Sequence, residues 1–508
     1  MKLRSVDMIA LALVCTVPAT FKAADTIQIK GQLLGFDGKP MPAGCVYLNR
    51  PGIKSLKADA DADGHFSVAA EKEGVYWLWA AGVHHKTLLI PILADGTQKI
   101  IDITIRLATA DYVAPIEKVI VIGDFNKFSE KSGGVEMQRQ SDGTFVATIE
   151  SPLDALRYQL QGVQADDFPI CGTQADSFEK NKDNPLIADR SFLYDSVIKA
   201  GGHPVRIVFD PNKLPRSQSD ADIRFGDADS TPARIVAADR DLRKGVVRYQ
   251  KSQKAYLAEG KDPKKFQYDF SSDLRTLEQR IEDQHDPLVR QFLMLRYFDF
   301  REAENNSSMA QRAFKEIPPA SLAWSLLWAA GPINAFASIS KAANQPETEE
   351  DYRQQVLATH PDDNVRAGFL FAALRKAHLQ GEADKVGRYY TRLMDEFGKT
   401  DYARMAAEIA PNRNILKGKP VPDFKLISLD DSAEDVAKFR KSKWPRPWLN
   451  ARLEDGFGGK VATSFEVVGI PKAILVGKDG QIIAYGEELR GDKLDGTIAR
   501  AIGEIKAK

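Results

Sequence analysis

The chain has 508 residues, 43% hydrophobic and 28% charged, which is globular material for three or four domains with ample length for buried cores. Its 70 basic and 70 acidic residues balance to a formal net charge of zero, so bulk electrostatics argue against nucleic acid or an anionic surface as the partner. After the N-terminus no run of roughly 18 apolar residues occurs, so no transmembrane segment is expected.

In chain order, residues 1–23 read as an export signal. Lys2 and Arg4 precede an apolar core from Met8 to Val17, and small residues follow with cleavage after Ala19 or Ala23. The expectation is an exported protein, periplasmic or extracellular. The bulky Val14 before Cys15 argues against lipoprotein processing. Beyond the leader only Cys45 and Cys171 remain; in an oxidising compartment they could pair, but they fall in different modules, which argues against a disulfide.

Residues 26–110 read as a small β-sandwich. Ile27, Ile29 and Leu33 alternate, the loop at 38–44 follows, and short runs at 46–48, 66–68, 75–79, 88–92 and 101–105 are separated by turn residues. The strand-loop-strand opening and the Asp61-Ala-Asp-Gly-His-Phe66 hairpin resemble the carboxypeptidase regulatory-like modules of exported proteins. Asp59-x-Asp61-x-Asp63-Gly64 begins like an EF-hand loop, but Ala70 stands where the bidentate Glu belongs, so the stretch is read as a turn and no metal site is assigned. His84 and His85, adjacent on a strand, point to opposite faces and cannot share one metal.

Residues 115–212 form a second β region. Val119-Ile-Val-Ile-Gly-Asp-Phe-Asn126, Asp142 to Ile149 and Leu156 to Leu160 resemble the immunoglobulin-like modules that bind glycogen and starch. Those modules stack sugar on exposed Trp; here Phe128 takes that place and residues 115–212 contain no Trp, so the resemblance implies the sandwich without the carbohydrate site. Residues 213–232, polar and rich in charge and proline, read as a linker.

From 233 to 412 the period becomes helical. Val365, Phe369, Ala373 and Ala377 make one stripe and Val386, Tyr390, Leu393 and Phe397 another, with Gln380-Gly-Glu382 turning between them. His285 to Arg290 and His360 to Arg366 echo each other about 75 residues apart, which suggests helix pairs of tetratricopeptide-like type. Trp324 and Trp328, in the apolar run Leu322 to Ala330, are expected to be buried.

Residues 417–508 carry the most specific pattern. Ala473–Val476 and Gln481–Ala484 flank Gly477-Lys-Asp-Gly480, a hairpin turn sequence, and Leu494, Ile498, Ile502 and Ile505 recur at helical spacing. With Gly469-Ile-Pro471 in front, Gly418-Lys-Pro-Val-Pro-Asp-Phe424 upstream and Trp444-Pro-Arg-Pro-Trp448 between, the order resembles the second half of a thioredoxin fold in TlpA-like proteins of the bacterial envelope. The family's Cys-x-x-Cys helix and about 40 surrounding residues are missing, and no cysteine follows Cys171. The shortened domain is expected to place the strand Phe424–Leu429 beside Ala473–Val476, with a helix from Ala433 to Lys441 over one face.

The whole is thus expected to be a multidomain α+β protein of two sandwiches, a helical middle and a truncated thioredoxin-like domain. No catalytic residue and no cofactor is assigned: no Gly-x-Ser-x-Gly, Walker loop, His-Glu-x-x-His or metal-spaced Cys pair occurs. The resemblance implies thiol-disulfide exchange for the family, but without its thiols this chain keeps at most the binding face beside Pro471, where the backbone of Ile470 would pair with an extended peptide and Trp444 and Trp448 would line the groove. The partner is then an envelope protein or extended peptide. The alternative is recognition of an envelope polymer or carbohydrate by the β modules.

Overall fold

The computed structural model describes residues 26–41, 43–51, 55–70, 73–150, 153–165, 168–180, 194–217, 219–410, 414–424, 459–467, 472–491 and 493–506. They form a mixed α+β protein of several sheets and a large helical region.

The first seven strands are β1 (Ile27–Leu34), β2 (Gly44–Asn49), β3 (Leu56–Asp59), β4 (His65–Ala70), β5 (Gly74–Gly82), β6 (Leu88–Ala94) and β7 (Ile100–Arg106). One sheet contains β7-β1-β4 and the other β3-β2-β5-β6, with Ile29, Leu33, Phe66 and Ile103 facing Leu48, Leu78 and Ile90 across a common core. In β4 the alternation is complete, with Phe66, Val68 and Ala70 inward and the residues between them in solvent. β1 and β7 run parallel, in register from Gln28↔Ile100 to Leu34↔Arg106. The Asp61–Phe66 segment departs from the expected hairpin. Its turn, with Gly64 at φ +77°, links β3 in one sheet to β4 in the other and so joins the two layers instead of closing a ladder.

β5 has no alternation because it is covered on both faces, as a buried strand requires. Tyr76, Leu78 and Ala80 enter the sandwich core; on the outer face Val75 belongs to the helical core and Ala81 to the contact with the second sandwich.

The second β region contains β8 (Ile120–Gly123), β9 (Val135–Glu136), β10 (Gln138–Arg139), β11 (Phe145–Ile149), β12 (Ala155–Gln161), β13 (Ser177–Lys180), β14 (Tyr194–Lys199) and β15 (Val205–Phe209). Sheets β13-β14-β12-β8-β9 and β10-β11-β15 enclose Phe145, Tyr158, Leu160, Ile207 and Phe209. Within the stretch read as a linker, β16 (Asp222–Phe225) pairs antiparallel with β7 and drops Ile223 into the first core. Four residues alternating with Asp and Arg are too short and too charged a strand to stand out by pattern.

The helices are α1 (Thr231–Ala258), α2 (Ser271–Asp283), α3 (Pro287–Tyr297), α4 (Ser307–Glu316), α5 (Gly331–Ala343), α6 (Pro346–Thr359), α7 (Asp363–Leu379), α8 (Ala383–Phe397) and α9 (Asp401–Ala406). Val365, Phe369, Ala373 and Ala377 are buried on α7, as are Val386, Leu393 and Phe397 on α8, and Gly381 at φ +71° turns one helix into the other. The echoing segments prove to be helix starts. Asp286 accepts from the N–H groups of Leu288 and Val289, and Asp362 from that of Asn364, each capping the helix that follows. Trp324 is buried as expected. Trp328 is not: 45% exposed, it lies edge-on against Trp77 and Trp79 of β5 at 4.9 and 5.6 Å, because its part of the apolar run turns out of the helical core to cover the first sandwich.

Beyond α9 come α10 (Lys460–Ser464), β17 (Ile474–Val476), β18 (Ile482–Tyr485) and α11 (Lys493–Lys506). β17 and β18 form the hairpin, with Gly480 at φ +78°. Residues 418–421 extend it on the β18 side: the N–H of Gly418 donates to the Ile482 carbonyl at 2.8 Å, and that of Val421 to Gly480 at 2.9 Å. The expected strand Phe424–Leu429 and helix Ala433–Lys441 lie, apart from Phe424, outside the described residues. On α11 the buried positions are Thr497 and Ala501, whereas Ile498 and Ile502 are 37% and 50% exposed. No helix among the described residues is long and apolar enough to cross a membrane.

Candidate functional site

Ile470, Pro471, Trp444 and Trp448 all lie outside the described residues, so the groove expected around them is not displayed. Its described surroundings are bound inward. Lys472 Nζ donates to the Glu466 carbonyl at 2.5 Å, and the rings of Phe424 and Phe465 meet at 5.3 Å.

The two cysteines of the β modules converge on one seam between the sandwiches. Cys45 on β2 and Cys171 after β12 both pack against Tyr194, together with Ala81, and both are free thiols. Cys171 Sγ donates to the Tyr194 carbonyl at 3.2 Å, and His84 Nε2 lies 2.9 Å from the Cys171 carbonyl. Burial pushes the Cys171 thiol up to about 12 and raises that of Cys45, so neither supplies a thiolate near neutral pH. Above the seam lies a hollow of about 420 Å³ lined by Asp59, Phe178, Lys180 and Tyr194. Lys180 pairs with Asp59, and burial lowers its affinity for a proton.

Asp61, Asp63 and His65 bring potential metal ligands within 4.8 Å of one another on the surface. Asp61 Oδ1, however, accepts from the backbone N–H of Asp63 at 3.0 Å and of His65 at 2.8 Å, so the carboxylate holds the inter-sheet turn. The Gly123–Asn126 motif is likewise internal. The Asp124 carboxylate binds the Arg157 guanidinium at 3.2 and 2.9 Å, and Asn126 Oδ1 accepts from the Gly123 N–H at 2.8 Å.

A cleft of about 530 Å³ that the sequence reading did not single out opens on the helical region between α1, residues 266–270 and residues 296–302. After a short turn at Pro263–Lys265, in a stretch outside any helix or strand, Phe266, Tyr268 and Phe270 are half-buried while Gln267 and Asp269 face solvent. Tyr249 of α1 meets all three inward rings at 5.6, 5.7 and 5.6 Å, and Phe270 meets Phe300 at 5.2 Å. One wall is charged and internally paired. Arg296 donates to buried Asp239 at 2.8 Å and to Asp299 at 2.5 Å, and Arg243 donates to Asp239 at 2.6 Å. Burial raises the proton affinity of Asp299, with Arg296 opposing it. The signal that could have revealed this cleft is the period-two spacing of Phe266, Tyr268 and Phe270 inside a region of helical period.

These groups can bind; among the described residues none forms a nucleophile–base pair at the cleft. No family model matches the chain, and no curated protein matches it. Solved structures resemble parts of it distantly. A catechol 1,2-dioxygenase from an Acinetobacter species is 10% identical over 18% of this chain and 55% of its own, with a TM-score of 0.15. A DUF3823 family protein from Bacteroides ovatus is 15% identical over 28% of this chain and 94% of its own, with a TM-score of 0.14. Fervidolysin from Fervidobacterium pennivorans is 9% identical over 28% of each chain, with a TM-score of 0.14. At these scores the resemblances carry no argument about function.

Proposed function

We propose that this is an exported, thioredoxin-like protein of the cell envelope, related to the TlpA family, that acts as a binding scaffold for protein or extended peptide and does not exchange disulfides. The observation that carries the reading is the state of the thiols: Cys45 and Cys171 are buried, unpaired and held protonated by desolvation. Thiol exchange needs an accessible thiolate and a resolving partner, and this pair offers neither. Recognition of a polymer by the β modules has less support, because Trp77 and Trp79 are buried under Trp328 and the Gly123–Asn126 motif is spent on its own turn.

Two measurements test this. In an insulin disulfide reductase assay the wild type and the C45S/C171S variant should both be inactive; turnover by the wild type that the variant loses overturns the redox-inactive reading. A phage library of short random peptides selected on the full-length protein should yield saturable binders, and a library that yields none overturns the scaffold reading.

A further inference from the structure

The cleft between α1, residues 266–270 and residues 296–302 has a volume of about 530 Å³, the size of a site for one small molecule. Tyr249, Phe266, Tyr268, Phe270 and Phe300 all line it and all stay half-buried, so folding leaves part of each ring in water. A ligand that covers this surface recovers the hydrophobic gain that folding forgoes there. The rings are also held in place before anything binds. Gln253 Nε2 donates to the Tyr249 hydroxyl at 3.4 Å, and the Tyr268 hydroxyl is bonded to Arg248, itself paired with Asp273. Walls fixed in advance cost a ligand little ordering. The charges around the cleft cancel. Of its lining side chains Arg296 and Arg301 are positive, Asp299 and Glu302 negative, and Arg296 is bonded to Asp299 at 2.5 Å. A charged ligand would give up hydration here without meeting a net counter-charge, whereas an uncharged one gives up little. Leu242 and Val246 add aliphatic surface, Val246 being 43% exposed, and the solvent-facing Gln267 and Glu302 supply an amide and a carboxylate at the rim.

From this cavity, and independently of the scaffold reading, we infer that the cleft binds a small uncharged aromatic compound, its ring against Tyr249, Phe270 and Phe300 and its polar substituent turned to Gln267 and Glu302. Edge-on and offset aromatic contacts select a ring over an aliphatic chain, and the cancelled charge selects against an anion or a cation.

The test uses the full-length protein and two fluorescent probes that differ only in charge: N-phenyl-1-naphthylamine, which is uncharged, and 8-anilino-1-naphthalenesulfonate, the same ring system with a sulfonate. The uncharged probe should brighten with saturable binding at one site, at least tenfold tighter than the sulfonate. Photolabelling with 4-(hydroxymethyl)benzophenone, displaced by the uncharged probe, should place its adduct within residues 242–270 or 296–302 by peptide mass mapping. V246E should weaken the uncharged probe at least tenfold without moving the melting temperature. L257E, which changes an exposed apolar residue of α1 outside the cleft lining, should leave binding unchanged. No saturable binding of the uncharged probe, equal or tighter binding of the sulfonate, an adduct elsewhere, such as beside Trp328, or equal loss in both variants or in neither overturns the assignment. The scaffold reading stands or falls separately, on its peptide selection.

Discussion

His360 and His85 show how far a single side chain is fixed by its backbone partners. His360, 2% exposed, donates from Nε2 to the Ser321 carbonyl at 3.0 Å and accepts at Nδ1 from the Asp362 N–H at 3.0 Å. His85 donates from Nδ1 to the Val83 carbonyl at 2.7 Å and accepts at Nε2 from the Phe36 N–H at 3.1 Å. Both rings must therefore be neutral, since a second ring proton would face an N–H donor, and burial lowers the pKa of each. The unfolded chain takes up these protons below about pH 6.5, where the folded protein still resists them. Stability should accordingly be full above that pH and fall as the pH drops through it, by up to about 1.4 kcal/mol per pH unit for each ring. Urea midpoints measured from neutral to mildly acid pH check this, and H360Q, though less stable, should show a shallower slope. A slope unchanged in H360Q would mean that other groups govern acid unfolding. The sequence reading put His84 and His85 on a strand, whereas they lie in the turn after β5 with His84 at φ +62°, and it had no means of finding Phe36 and Cys171, their partners on distant segments.

At the scale of elements, the period of the chain was readable in β4, α7 and α8 but not in α11, where Thr497 and Ala501 are buried and Ile498 and Ile502 exposed. β4 alternates as its sequence does, the stripes of α7 and α8 are in the core, and Asp-Gly closes the hairpin of β17 and β18. The echo between His285–Arg290 and His360–Arg366 records the common chemistry of two capped helix starts, which suffices to explain it without a solenoid. Short strands in polar surroundings, such as β3 and β16, escaped because their pairing is decided by the neighbour that receives them. The tightest such reception is at Gly31, where an added Cβ would stand 1.7 Å from the Ile103 carbonyl oxygen. G31A should push β1 away from β7 and destabilise the first sandwich by about 1–3 kcal/mol. Thermal melts of the variant measure this; an unchanged melt would show that the parallel pair yields more easily than its geometry implies.

At the scale of the molecule, the first sandwich serves as the surface on which the other parts are built. Val75 and Leu93 are in the helical core, Val236 of α1 is in the sandwich core, and Trp328 closes over Trp77 and Trp79. Two edge-on aromatic contacts are worth about 1–3 kcal/mol together. W328A should therefore loosen the helical region from the sandwich, so that urea unfolding followed by helical dichroism and by tryptophan fluorescence separates into non-coincident transitions; coincident curves at the wild-type midpoint would mean that this contact couples nothing. By itself the sequence determined most of the local periods, the turns and the lack of a cysteine pair spaced for exchange, because each depends on residues within a few positions of one another. Only the tertiary structure decided that β5 is covered on both faces, that two cysteines from different sandwiches are sealed around Tyr194, that Trp328 faces outward, and that Phe266, Tyr268 and Phe270 gather around Tyr249 of α1. Those outcomes depend on which distant segment covers which face, and neither period nor composition encodes that.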